Sequence, residues 1–198
     1  MKKIMFNDRY GLTQAVIEGR KIMTRRMISG GPLLPEDRIE DASICPDGFV
    51  SIIANGGESL MEVKCHYKVG EIVAVAQRYY YAVSSGYDIP VNGMDRTPGW
   101  RNKMFVRADL MPHQIRITGI KCERLQDISD ADCLKEGINA SNSHEIGYGI
   151  PWVYEFAGSK MVYYTPREAF AALIDKVSGR GTWASNPWVV AYEFELVK

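Results

Sequence analysis

Apolar positions along the chain change their period several times, and each change marks an element. Leu12 and Val16 fall one turn apart with Ala15 beside them, which predicts an amphipathic helix. Asn7 or Asp8 can cap its start, and Gly19 supplies the left-handed residue that ends it. From Ile22 to Ile28 the period becomes two, the pattern of a strand with Ile22, Thr24, Arg26 and Ile28 on one face and Met23, Arg25 and Met27 on the other. Phe49 to Ala54 and Leu60 to Lys64, separated by a segment opening Asn55-Gly56-Gly57, form a hairpin pattern. Glu71 to Gln77 is a near-continuous apolar run of the length of a buried strand.

The stretch 82–102 is crowded with Gly, Ser, Asp, Asn and Pro and predicts a long surface loop. Two helix starts follow. Ser129 with Asp132 forms a capping box before a helix that Gly137 ends, and Thr165-Pro166-Arg167-Glu168 combines a capping hydroxyl, a first-turn proline and the matching carboxylate. Phe170, Leu173, Ile174 and Val177 then make one apolar stripe, expected to be core packing. The intervening stretch 139–164 carries Tyr148, Trp152, Tyr154, Phe156, Tyr163 and Tyr164. Such aromatics stack bases or pin a long segment to the core, and pinning is the expectation for most of them because each buries a large apolar area.

Composition changes the picture in two places. The 24 basic and 24 acidic residues cancel, so a polyanion would have to be held by a local patch. No segment is long and apolar enough to span a bilayer, and Met1-Lys2-Lys3 is followed by too short an apolar run for a signal peptide, so a cytoplasmic protein is expected. Cys45, Cys65, Cys122 and Cys133 show no CxxC spacing, which points to reduced thiols and away from a zinc site. Cys65-His66 would be metal ligands only with distant help from His113 or His144, so neither a metal nor another cofactor is expected.

The richest chemistry lies in Gly19-Arg20-Lys21-Ile22-Met23-Thr24-Arg25-Arg26, a lysine, a hydroxyl and two arginines directly behind the first helix. Charges at a strand edge also serve simply to discourage edge pairing, and both readings stay open on the residues alone. Lys21 and Thr24 have opposite parity on an ideal strand, so they converge only if Lys21 still lies in the turn and reaches across.

The pattern GxKxxTxR formed by Gly19, Lys21, Thr24 and Arg26 resembles the signature of ASCH domains of the PUA-like superfamily. Three further pieces follow in the family's order: Tyr67 to Val73 as its turn into a strand, Ile115 to Leu125 with Gln126-Asp127-Ile128-Ser129 as a long strand running into a short helix, and Trp188 to Val197 as the closing strand. Trp183-Ala184-Ser185-Asn186-Pro187-Trp188-Val189 is similar to the ending of the longer, phage-associated members. One departure is plain: Ala76-Gln77, followed by Arg78, stands where many members carry an Arg-Glu pair.

The resemblance implies an α+β fold, a PUA-like mixed β-barrel with peripheral helices, as one domain over 1–198 with insertions at about 29–66, 82–102 and 139–164. It implies a nucleotide, a nucleoside or RNA as ligand, in a cleft beside Lys21 and Thr24 with Arg25, Arg26, Gln77 and Arg78 as ligand-binding residues. The alternative it implies is an amidohydrolase that deacylates N4-acetylcytidine-type nucleosides, with Thr24 as nucleophile, Lys21 as base and Glu136 orienting the lysine or shuttling a proton. That chemistry is coherent, because a threonine hydroxyl attacks only when a base takes its proton, and a lysine is a base only when burial or nearby cations such as Arg25 and Arg26 lower its pKa. Glu136 has a plain reading as well, an ion pair with Lys21 that holds the fold together. A third activity in the wider family, metal-dependent ribonuclease, finds no dense acidic or histidine cluster in the sequence.

Overall fold

The computed structural model describes residues 1–28, 39–45, 48–57, 59–89, 93–142 and 152–197. In chain order the elements are β1 (Lys2–Ile4), α1 (Leu12–Ile17), β2 (Met23–Met27), β3 (Ile39–Ile44), β4 (Phe49–Ala54), β5 (Ser59–Lys64), β6 (Ile72–Val75) and α2 (Tyr79–Ser84). They continue with β7 (Gln114–Arg124), α3 (Asp130–Lys135), β8 (Asn139–Asn142), β9 (Trp152–Glu155), α4 (Pro166–Ser178), α5 (Thr182–Ser185) and β10 (Trp188–Leu196). The architecture is α+β.

The main sheet has the order β1-β6-β7-β10-β2, antiparallel except for the parallel pair β1 and β6. Among the described residues β1 and β2 are its two edges, so backbone pairing does not close it into a barrel. A side chain crosses between these edges instead, where Arg26 Nη2 donates to the Met5 carbonyl at 2.7 Å. The register of β10 on β7 shifts between Glu193 and Phe194, which face Gly119 and Ile117 and leave Thr118 as the extra residue. Such a bulge bends the strand and increases its twist.

A separate three-stranded sheet, β3-β4-β5, covers one side of the core, and β8 pairs with β9 as a short ribbon. Alternation places the core: Val50, Ile52 and Val63 from the small sheet meet Val73, Val75, Ile115, Ile117, Tyr192 and Phe194 from the large one, with Phe170 and Leu173 of α4 closing one end. The hairpin β4–β5, the strands β2 and β6, and the capped helices α3 and α4 fall where the patterning puts them, and β7 and β10 fall where the resemblance implies strands. Ser129 Oγ accepts from the Asp132 N–H at 3.1 Å, and Thr165 Oγ1 accepts from that of Glu168 at 3.1 Å.

Three expectations change, and the one on the 139–164 aromatics holds for most of those described. Asn7 caps a separate single turn, Asp8–Tyr10, and α1 starts only after Gly11 at φ 63°. A Cβ at Gly11 would stand 2.8 Å from that of Ala157, so glycine is required twice over, by its dihedral and by its neighbour. The stretch 82–102 is not all loop: α2 runs through Ser84, and the short turns Met94–Arg96 and Pro98–Trp100 lie farther on. Three successive tyrosines favour a strand on propensity, and that hid a helix held by the burial of Tyr79 and Ala82 in a second small core with Ala74, Ala76, Val106 and Met111. The edge strand β3 was not expected, because it exposes Glu40 and Asp41 and buries only Ala42. Within 139–164, Tyr148 lies outside the described residues. Phe156 pins the segment by packing edge-on against Tyr10 at 5.8 Å and face-on to Tyr163 at 6.2 Å, whereas Trp152 and Tyr164 remain exposed.

Candidate functional site

A cavity of about 280 Å³ lies between the chain leaving β1, the edge strand β2 and helix α4. One wall is polar, from Lys21, Thr24, Arg26 and Glu136. The opposite wall is apolar, from Phe170, Leu173, Ile174 and Val177, the stripe that the sequence assigned to the core. That assignment holds for Phe170 and Leu173, which are buried. Ile174 is half-buried and Val177 exposed.

Lys21 sits in the turn between α1 and β2, as convergence with Thr24 requires: its N–H donates to Ala15 O at 2.9 Å, and the Ile22 N–H donates to Lys135 O at 2.9 Å. The side chain is buried and points back across the turn. Its ammonium donates to Glu136 Oε2 at 2.5 Å, to the Glu136 carbonyl at 2.8 Å and to the Met23 carbonyl at 2.7 Å, which uses all three protons. The Phe6 ring centroid lies 5.7 Å from the nitrogen. Burial pulls the Lys21 pKa below the usual lysine value, and the Glu136 carboxylate only partly offsets this.

Glu136 caps the C-terminal end of α3, where a carboxylate opposes the helix dipole. Two cations hold it there: Lys21 on Oε2, and Arg25 Nη1 on Oε1 at 3.0 Å. Gly137 follows at φ 98°, and a Cβ on it would meet Lys21 Cβ at 3.5 Å and Leu12 Cδ2 at 3.4 Å. The turn therefore fixes both members of the pair.

Arg25 borders the cavity, yet its side chain is almost fully buried among carboxylates. It reaches Glu123 at 2.6 Å, Asp132 at 3.3 Å and Glu136 at 3.0 Å, and Lys121 reaches Asp132 at 2.8 Å and Glu123 at 3.0 Å. Its hydrogen-bonding capacity is spent on the protein, and its clearest effect is to orient Glu136. Arg26 differs: half-buried, it has no carboxylate partner among the described residues and touches only the Met5 carbonyl. Thr24 is a buried residue at this cavity, and its hydroxyl has no hydrogen-bond partner among the described residues.

Lys21, Thr24, Arg25, Arg26 and Glu136 thus come together at one cavity, whereas Gln77 and Arg78 line another. Nothing in the patterning marks Met5, Phe6 and Asn7, which also line the cavity, or His66 as site residues. His66 drew notice only beside Cys65, which is buried, and is positioned by its backbone N–H donating to the Tyr192 hydroxyl at 3.0 Å. Among the described residues no three His, Cys, Asp or Glu side chains gather as a metal site. In comparisons with known proteins, the chain matches no family model, no curated protein and no solved structure.

Proposed function

We propose that this chain is an ASCH-type domain of the PUA-like superfamily that binds a nucleoside or nucleotide in the cavity beside Lys21 and Thr24. The observation that carries this reading is the two-sided cavity: a flat base packs on the apolar face of α4 while its polar edge meets the Thr24 hydroxyl and the Arg26 guanidinium. A volume of about 280 Å³ sits at the lower end for small-molecule sites and suits one nucleoside better than a strand. Local charge argues the same way, because Lys21 and Arg25 are neutralised by Glu136, Glu123 and Asp132 and leave Arg26 as the cation for a phosphate. The contact of Arg26 with Met5 across the two sheet edges supports the PUA-like barrel reading. Four free thiols support a cytoplasmic location.

The test is to incubate the purified protein with a panel of modified nucleosides and short RNAs, following both retention and turnover. Saturable retention of single nucleosides is expected. Binding only of longer RNA would contradict the small-ligand reading.

A second reading, amidohydrolysis of an N4-acylated cytosine nucleoside, is favoured by one specific arrangement. A desolvated lysine lies 2.5 Å from a carboxylate, beside a threonine hydroxyl that has no partner among the described residues. Glu136 takes a proton from Lys21, and the neutral amine turns from the Met23 carbonyl to accept the Thr24 proton. Thr24 Oγ bonds to the acyl carbon as the C–N4 bond breaks, N4 leaves carrying a proton from the Lys21–Glu136 pair, and water then hydrolyses the threonyl ester. Release of free acid and unacylated nucleoside in stoichiometric amounts, lost in Thr24→Ala, is the expected result. Retention without turnover leaves the binding reading and overturns this one.

A further inference from the structure

A second cavity, of about 200 Å³, lies on the other side of the turn Asp8–Tyr10, between α1 and α2. Its polar lining is not equally occupied. Asp8 Oδ1 accepts from Lys103 at 2.7 Å and from the Thr13 hydroxyl at 2.5 Å, and Gln14 donates to Glu18 at 2.9 Å. Three groups remain available. The Gln77 side-chain carbonyl is sealed from solvent in a residue only 9% exposed and has no hydrogen-bond partner among the described residues. The half-exposed Arg78 has only a loose contact with Asp8 at 3.7 Å and lies over the Tyr81 ring at 5.3 Å. Tyr81 itself leaves half its surface open.

We propose that this cavity is a nucleobase-binding subsite, in which the Gln77 side chain turns its sealed carbonyl toward the cavity to pair with a base edge, Tyr81 packs on the ring and Arg78 meets the attached phosphate. An orphaned buried acceptor is costly, and a ligand N–H relieves that cost. A carboxamide presents an acceptor and a donor side by side, the complement of the amino group and adjacent ring nitrogen of adenine or cytosine. The open half of Tyr81 supplies aromatic surface that tolerates any base, and a guanidinium held only loosely by a carboxylate is a matching partner for a phosphate. Asp8 offsets that cation only in part, because its Oδ1 is taken by Lys103 and Thr13 and its Oδ2 stands 3.7 Å from the guanidinium. The subsite rests on these residues and stands whether or not the cavity at Lys21 holds a nucleoside.

The experiment is an amide-resolved NMR titration of the full chain with cytidine 5′-monophosphate, with ribose 5-phosphate as the base-free control. Saturable shifts of the Gln77 side-chain amide and of the Tyr81 and Ser85 backbone amides are expected, with the control much weaker. Gln77→Leu and Arg78→Gln should each weaken binding at these signals about tenfold, the loss of one good polar pair. Gln77→Leu also removes the orphan carbonyl, so its thermal midpoint should hold or rise, which separates lost binding from lost folding. Equal binding of ribose 5-phosphate, or unchanged affinity in Gln77→Leu, would overturn the subsite. Shifts confined to Thr24, Arg26 and Ile174 would also overturn it and leave the first cavity's reading intact.

Discussion

Lys21 Nζ and Glu136 Oε2 stand 2.5 Å apart, in side chains only 2% and 6% exposed. Two charges taken this far out of water are held by each other and by Arg25 and the Met23 carbonyl. Such a pair adds little net stability when intact, but removing one partner is severe. Glu136→Leu should therefore cost about 3–5 kcal/mol in urea unfolding, and Lys21→Met in the same chain should restore part of that loss. Additive losses in the double variant would show that the two side chains are not coupled.

Gly137→Ala tests the turn that sets this pair. Its φ of 98° disfavours any side chain, and the new methyl group meets Lys21 and Leu12. A loss of more than about 1 kcal/mol is expected from the backbone conformation alone, because the methyl group itself fits at van der Waals distance. An unaffected thermal midpoint would mean that the turn relaxes freely.

Alkaline pH acts through opposing groups. Burial pushes the Cys122 and Cys133 thiols and the Tyr192 hydroxyl up to about 12. Between the thiols' ordinary value of 9.0 and about 12 the unfolded chain has lost protons that the folded chain keeps, so this stability is present below about 9 and is lost as pH rises. Lys21, lowered by burial, works the other way and adds stability as pH rises toward 10.5. Relative to the parent chain, the urea midpoint above about pH 9 should fall less steeply in Cys122→Ala/Cys133→Ala and more steeply in Lys21→Met. Variant profiles that run parallel to the parent's would contradict the burial of these groups.

The apolar wall can be altered without touching the core. Val177 is exposed at the cavity, so Val177→Asp should change stability by less than about 0.5 kcal/mol while strongly weakening nucleoside retention. Unchanged retention would remove α4 from the site.

Period and capping carried most of the fold in the sequence. The alternation of β2 and the hairpin glycines each sit in a local pattern that tertiary contacts reinforce, as do Ser129 and Thr165 at their caps. What stayed hidden was non-local. The α2 tyrosines fold as a helix because Tyr79 and Ala82 find a second core, and β3 exists because β4 offers it an edge. The site divides the same way. Lys21, Thr24 and Glu136 were legible as a set, but nothing local shows that Arg25 turns inward to three carboxylates, that Gln77 and Arg78 line another cavity, or that α4 leaves its apolar stripe open.

The most direct measurement of the central claim is a titration of the full chain with N4-acetylcytidine, followed by amide-resolved NMR with free acetate quantified in the same sample. The account predicts saturable shifts at Thr24, Arg26, His66 and Ile174, which line the first cavity, whether or not acetate appears. No shift at these positions up to millimolar nucleoside, with the chain folded, would contradict it.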